Sequence, residues 1–492
     1  MSELLITTEG LSLDALELHD LDHDTIRLDH QVVEYVSRCR MYLELKINEG
    51  EDAYYGINTG FGSLCNVIIS KEKLNDLQHN LIRSHAAGMG ESVPPKIARL
   101  ILLLKIQNLS YGYSGIRIQV LQRLVDLYNM GVAPLIFQQG SLGASGDLAP
   151  LAHLSLPLIG EGEVWFKGQR RPSKEVLKEL DMEPIALAAK EGLALLNGTQ
   201  FSTAYGVYAA LQARKMIRKA NQCAALSMEA FNCQLSPLDP DIHLIRKHSG
   251  QMECAAEIAS FLKGSDLDVR KGKSVQDPYA FRCAPQVHGA SLSALKHVED
   301  ILQHELYAVT DNPNVFPAAD KILSGGNFHA QPIALALDYL AIALAEIANI
   351  SERRTYQLLT GARNLPSYLI RDAGLHSGFM IAQYTAASIV SQNKQYCSPA
   401  SVDSIVSSVG QEDHVSMAAN AATKLFKVVE NVWSVLGIEW MCACQAVDIM
   451  EYGIGPSLEE PKTEFRSKVS ILTEDRVLHE DMKEAAAFLR YA

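Results

Sequence analysis

Apolar residues recur at alternating steps of three and four along Val415, Ala418, Ala422, Leu425, Val429, Val432 and Leu436. That spacing keeps one stripe on a single helix face for many turns. Ile333, Leu337, Leu340, Leu344 and Ile347 repeat it, and the other faces of that segment are crowded with Ala334, Ala336, Ala341, Ala343, Ala345 and Ala348. Small residues all round a helix predict close neighbours on several sides, as in the middle of a bundle. Before about residue 195 the rhythm breaks. Glycine-rich turns at Tyr55 to Gly62, Gly88 to Gly90, Gly140 to Gly146 and Gly160 to Gly168 separate short apolar runs, and Glu163 to Arg171 predicts a hairpin turning at Lys167-Gly168. The pattern predicts an irregular, mixed lobe over 1–195 and a long-helix region over 196–492. The second has more apolar helix surface than one chain covers, so it is expected to be shared between subunits.

Composition narrows the class. The chain has 492 residues, 48% hydrophobic and 21% charged, enough for a large core and incompatible with a disordered or fibrous protein. Length alone suggests about three domains. The net charge of −13 opposes a nucleic-acid partner. Asp338 and Glu346 interrupt the apolar stretch after Gln331, so no membrane span is expected. Glu3 and Glu9, with no basic stretch, do not make a secretory signal. Nine cysteines without a C-x-x-C pair read as reduced thiols in a cytoplasmic protein.

Common catalytic signatures are missing: the chain has no phosphate loop, no H-E-x-x-H zinc helix and no G-x-S-x-G elbow. The acidic run His19 to Asp24 reads as a flexible, hydrated surface rather than a metal site, and His153 and His297 as core or surface residues. Cys442 and Cys444, two apart on a helix, read as core packing.

One segment carries polar groups a core would not choose: Gly140-Ser-Leu-Gly-Ala-Ser-Gly-Asp-Leu-Ala-Pro-Leu-Ala-His153. As structure alone it is a turn followed by a helix capped by Ser145 or Asp147. As chemistry it is more. The unhindered Gly146 nitrogen can be pushed onto the Ala144 carbonyl to close a five-membered ring, and loss of water from Ser145 then leaves an exocyclic methylidene.

This segment resembles the signature of the aromatic amino acid ammonia-lyase family, whose members build a 4-methylideneimidazol-5-one (MIO) group from Ala-Ser-Gly. Six further segments match in the family's order: Tyr54 to Gly62, Ser84 to Gly88, Gly192 to Thr199, Gln276 to Arg282, Gly325 to His329 and Gln411 to Met417. Segments so scattered must converge, which argues for one continuous helical unit rather than three domains. The resemblance implies a mainly all-α fold: a long-helix bundle with an aspartase/fumarase-like superhelical core, and the N-terminal lobe carrying the MIO loop.

The resemblance also implies roles. Ala144 and Gly146 would be cross-linked and Ser145 dehydrated, with no metal or external cofactor. Tyr55 would be the base for the β-proton. Its ordinary pKa near 10 leaves about a thousandth ionised at pH 7, so positive charge must lie nearby. Helix N-termini and Arg282 are the candidates. Arg282 would also pair with the substrate carboxylate through a bidentate fork. Asn197 and Tyr279 would contact the MIO or the amino group, Gln276 would extend the same polar wall, Phe328 would pack beside the group, and Asp147 would hold the loop.

Substrate choice is read from the ring pocket. Histidine-specific members carry glutamate in the Gln-Glu-Asp-His motif, where phenylalanine and tyrosine lyases carry glutamine, and this chain has Glu412. His85 and Met380 fit the same pocket. The expected reaction is the deamination of L-histidine to trans-urocanate and ammonia, the first step of histidine breakdown, in a homotetramer with shared active sites. The alternatives are a tyrosine or phenylalanine ammonia-lyase, an MIO-dependent aminomutase, or a non-catalytic scaffold, which the intact Ala144-Ser145-Gly146 opposes.

Overall fold

The computed structural model describes residues 2–49, 53–64 and 66–491. It is mainly helical, as the resemblance implied, with a few small sheets of two or three strands. The chain forms two compact units made of non-contiguous segments. The first contains Met1–Tyr208, Glu299–Asp338 and Pro399–Thr423; the second contains Ala209–Val298, Tyr339–Ser398 and Lys424–Ala492. The boundaries fall inside long helices, among them Gln200–Ala230, Gln331–Leu359 and Ala418–Met450.

The two periodic runs are buried as their spacing predicts. Every member of the Val415 to Leu436 stripe and of the Ile333 to Ile347 stripe is fully buried. One face of the second run departs from expectation, because Leu335, Tyr339 and Ile342 remain exposed in the single chain. The helices Gln331–Leu359 and Ala418–Met450 are long and apolar enough, by length and composition, to cross a bilayer. This corrects the reading that Asp338 and Glu346 break the first of them. Burial of 67% and 83% of their most apolar windows accounts for that character in the fold itself.

In the first unit, Glu163–Phe166 pairs antiparallel with Gln169–Pro172, and the left-handed Lys167 and Gly168 make the expected turn. Its functional framework is three short helices packed on one another: Leu74–His85, Leu148–Ser155 and Glu191–Leu196. Leu74, Gln78, Leu81 and Ile82 form the buried stripe of the first. The Gln78 Oε1 accepts from the Gly192 N–H at 2.9 Å, supplying a partner to the start of the third helix. A Cβ on Gly192 would lie 2.8 Å from the Gln78 carbonyl oxygen, so only glycine permits this approach.

In the His19 to Asp24 run, Asp20, Asp22 and His23 are exposed as expected from sequence, but the two ends are not. His19 and Asp24 are both buried: His19 Nε2 lies 2.7 Å from the Tyr128 hydroxyl, and Asp24 accepts from the Ser2 hydroxyl at 2.6 Å. Sequence-distant Tyr128 and Ser2 supply partners that local composition does not reveal. Six of the nine cysteines are buried free thiols, Cys283 and Cys397 are half-buried, and Cys65 lies outside the described residues. The second unit buries an Arg354–Glu439 ion pair, with Ser227 donating to the same carboxylate at 2.7 Å.

Candidate active site

The loop between Gly140 and Leu148 is where the first unit concentrates its polar groups. Gly146 is left-handed at φ +77°, and a Cβ there would lie 2.2 Å from the Gly198 carbonyl oxygen. That oxygen accepts from the Asp147 N–H at 2.7 Å, while Asn197 Nδ2 donates to the Ser145 carbonyl at 2.6 Å. The turn Asn197-Gly198 therefore clamps the loop from one side. From the other, Met417 N–H donates to the Leu142 carbonyl at 3.0 Å and the Ser416 hydroxyl to the Gly143 carbonyl at 3.2 Å. Ala144 packs with Val415 and Met417. The helices Leu148–Ser155, Gln200–Ala230 and Ala418–Met450 all begin beside this loop, so their positive N-terminal ends meet at it.

Asp147 is wholly buried beneath the loop. It accepts from Ser202 N–H at 2.9 Å, the Ser202 hydroxyl at 3.0 Å and the Ser141 hydroxyl at 3.2 Å, in place of a cap on its own helix. Burial pushes its carboxyl up to about 6, against the opposing pull of those hydrogen bonds. The folded pKa lies above the ordinary 3.8, so this group favours the fold when protonated and that contribution is lost as pH rises through about 6. Asp147→Asn, which cannot ionise, is expected to gain on the wild type in melting temperature as pH rises from about 4 to about 6. A melting series at constant ionic strength checks this; a difference that does not change with pH contradicts it.

The loop opens onto a cavity of about 650 Å³. Tyr55, His85, Ser145, Asn197, Phe328 and Glu412 all line it, so six of the residues singled out from sequence come together there. Tyr55 is carried by the turn that starts at Tyr54, and its hydroxyl oxygen accepts from the Gly62 N–H at 3.2 Å. The Ser145 hydroxyl donates to Glu412 Oε1 at 2.8 Å, and Ser407 donates to Oε2 at 2.6 Å. His85 Nδ1 lies 2.9 Å from the Leu81 carbonyl, which can only accept, so Nδ1 carries the proton and Nε2 is the ring's acceptor. Burial pushes the His85 imidazole below its ordinary value, opposed by that carbonyl and by the Glu412 carboxylate. Among the described residues no donor meets the buried Asn197 Oδ1.

Gln276, Tyr279, Arg282 and Met380 are not among the residues lining this cavity; all four belong to the second unit. Gln276 and Arg282 line a separate hollow of about 400 Å³ with Gln234 and Gln286. Tyr279 is 71% exposed, with the Arg282 guanidinium 4.7 Å from its ring centroid. Met380 opens the helix Met380–Tyr396.

Some lining residues escaped the sequence reading. Asn312 stands in a bend and Ser408 opens the single 3-10 turn Ser408–Gly410, neither with a periodic signal, and Leu64, Val67 and Ile69 supply an apolar wall. Phe61 was within reach, since it stands inside the Tyr54 to Gly62 segment. Among the described residues no group of three or more His, Cys, Asp or Glu could hold a metal.

The aromatic amino acid lyase profile matches residues 11–467. The chain belongs to that family. It is 47% identical to the histidine ammonia-lyase of Deinococcus radiodurans over 93% of this chain and 88% of the relative. The crystal structure of histidine ammonia-lyase from Trypanosoma cruzi superposes with a TM-score of 0.91 at 42% identity, covering 100% of this chain and 93% of the other. Tyrosine aminomutase from Streptomyces globisporus gives a TM-score of 0.93 at 34% identity, covering 99% and 97%.

Proposed function

We propose that this chain deaminates L-histidine to trans-urocanate and ammonia, using an MIO group made from Ala144, Ser145 and Gly146. The observation that carries the reading is the placement of Glu412 in the same cavity as the Ala-Ser-Gly loop, with its carboxylate 2.8 Å from the Ser145 hydroxyl. Resemblance to histidine ammonia-lyases at 47% identity supports it. The loop suits the group: Gly146 has no side chain where one would collide, Asn197 holds the Ser145 carbonyl, and Asn197 Oδ1 is an acceptor that no donor among the described residues meets. When formed, the group supplies an electrophilic carbon that makes the substrate amine a better leaving group.

The chain's own residues do the rest. Tyr55 takes the β-proton; the Gly62 N–H and the helix N-termini beside the loop favour its anion. Glu412 accepts a hydrogen bond from the imidazole N–H, and neutral His85 offers Nε2 as a second acceptor. A phenyl ring offers no donor to Glu412 Oε1 and would leave that oxygen desolvated and unmet. Asn197 receives the amino group and Phe328 shields it from water.

Arg282 holds the substrate carboxylate, with Tyr279 and Gln276 on the same polar wall and Met380 against the ring. These four come from neighbouring copies in a homotetramer. The exposed apolar row Leu335, Tyr339 and Ile342 is the kind of surface such an assembly covers. In this reading 1–195 is the electrophile-bearing lobe, 196–492 supplies the oligomer surfaces, the protein is cytoplasmic, and no metal takes part.

Purified protein incubated separately with L-histidine, L-tyrosine and L-phenylalanine tests the reading. Histidine is expected to give the conjugated acid with its new ultraviolet absorbance, at a kcat/KM at least about tenfold above the others. A β-amino acid product without ammonia would instead assign an aminomutase. Preference for tyrosine or phenylalanine would overturn the role given to Glu412.

A further inference from the structure

Lys105 stands in the middle of the helix Pro95–Ser110, in which every residue from Ile97 to Ser110 is buried. Its side chain is wholly enclosed. The ammonium donates to the Asn197 carbonyl at 2.7 Å and lies 3.5 Å from Gln200 Oε1. Asn197 is the residue whose side chain holds the Ser145 carbonyl at 2.6 Å, and its neighbour Gly198 receives the Asp147 N–H at 2.7 Å. One buried charge thus sits beneath the turn that clamps the Ala144 to Gly146 loop.

Enclosing an ammonium is costly unless it is paired. Among the described residues no carboxylate lies within ion-pair distance of Lys105; Asp311 is bound to Lys190 at 3.0 Å and accepts from Ser114 at 3.1 Å. Burial pushes Lys105 down to about 7, with Asp311 opposing and Lys190 adding to the effect. A helix this apolar would pack as well around methionine, and replacing buried charges by apolar groups of similar volume is often neutral or stabilising. The stability of the helix therefore gives no reason for an ammonium here. The one carbonyl it holds closely does.

We propose that Lys105 is a positioning residue for formation of the electrophile: by fixing the Asn197 peptide, it keeps the Asn197 amide on the Ser145 carbonyl and so holds the loop in the bent geometry from which the ring closes. The inference rests on the proposed function. In the closure it serves, the Gly146 nitrogen bonds to the Ala144 carbonyl carbon. The Ala144 oxygen leaves as water with the Gly146 and Ser145 amide protons, and the Ser145 hydroxyl leaves as a second water with the Cα proton. No oxidant or reductant is needed. Lys105 touches none of the reacting atoms.

The test is the intact mass of freshly purified wild type, Lys105→Met and Lys105→Arg under denaturing conditions, with melting temperature and histidine kinetics alongside. Wild type is expected to be lighter than its sequence by two waters. Lys105→Met is expected to stay largely at the unmodified mass, or to lose the waters at least about tenfold more slowly. Its kcat should fall with occupancy while KM stays unchanged, and its melting temperature should be no lower than the wild type's. Lys105→Arg should recover most of the occupancy. If Lys105→Met gives no folded protein, Lys105→Gln, uncharged and one bond shorter, carries the same test. Wild-type occupancy in either uncharged variant overturns the proposal but leaves the proposed function intact. A wild type without the two-water loss overturns both.

Discussion

Ser145→Ala is expected to lower histidine turnover by at least about a thousandfold, equivalent to about 4 kcal/mol of barrier. Without the hydroxyl there is no second water to lose, so no methylidene can form whatever the ring does. The variant's mass should match its sequence or fall short by one water, where the wild type falls short by two. Folding should be little affected. The Ser145 hydroxyl makes one hydrogen bond, to Glu412 at 2.8 Å; a bond to a carboxylate is worth about 1.5–3 kcal/mol, but the wild type gives it up too when the hydroxyl leaves as water. The loop is held instead by backbone and neighbouring side chains: Asn197 on the Ser145 carbonyl and Asp147 on Gly198 and Ser202. Activity near the wild-type level in Ser145→Ala, measured as product absorbance, would remove the electrophile from the mechanism.

Glu412→Gln has the second largest expected effect, and its target is specificity. A hydrogen bond to a charged group is worth about 1.5–3 kcal/mol, so kcat/KM for histidine should fall roughly tenfold to a hundredfold. Glutamine keeps the shape and can still meet Ser407, which donates to Oε2 at 2.6 Å, so the melting temperature should stay near the wild-type value. Values for tyrosine and phenylalanine should be unchanged or higher, since the penalty for an unpaired carboxylate is gone. Unchanged histidine kinetics in a folded variant would show that Glu412 does not read the ring. Within the first unit the carboxylate faces the reactive loop directly, so the group proposed to choose the substrate also lies beside the group proposed to activate it.

What the sequence made legible follows from the range of each interaction. Periodicity is local, and the stripes Val415 to Leu436 and Ile333 to Ile347 are buried as their spacing predicts. The hairpin at Glu163–Phe166 and Gln169–Pro172 is equally local, decided by the turn residues Lys167 and Gly168. Convergence of Tyr55, His85, Ser145, Asn197, Phe328 and Glu412 on one cavity was expected from the resemblance and has no local signal. Burial of His19 has no local signal, because its partner, Tyr128, is over a hundred residues away. Lys105 did leave a trace, a lone charge within the apolar run Leu100 to Ile106, but its partner Asn197 could not be known without the fold. The make-up of the two compact units has no local signal, because segments distant in the chain contribute to each of them.

Deamination is tested most directly by the stoichiometry of one reaction: purified protein with L-histidine as the only substrate, urocanate followed by absorbance and ammonia by an independent assay. Urocanate and ammonia are expected in equal amounts, with neither formed by Ser145→Ala. Histidine left unchanged by a protein that has lost two waters, or consumed without release of ammonia, would contradict the proposed function.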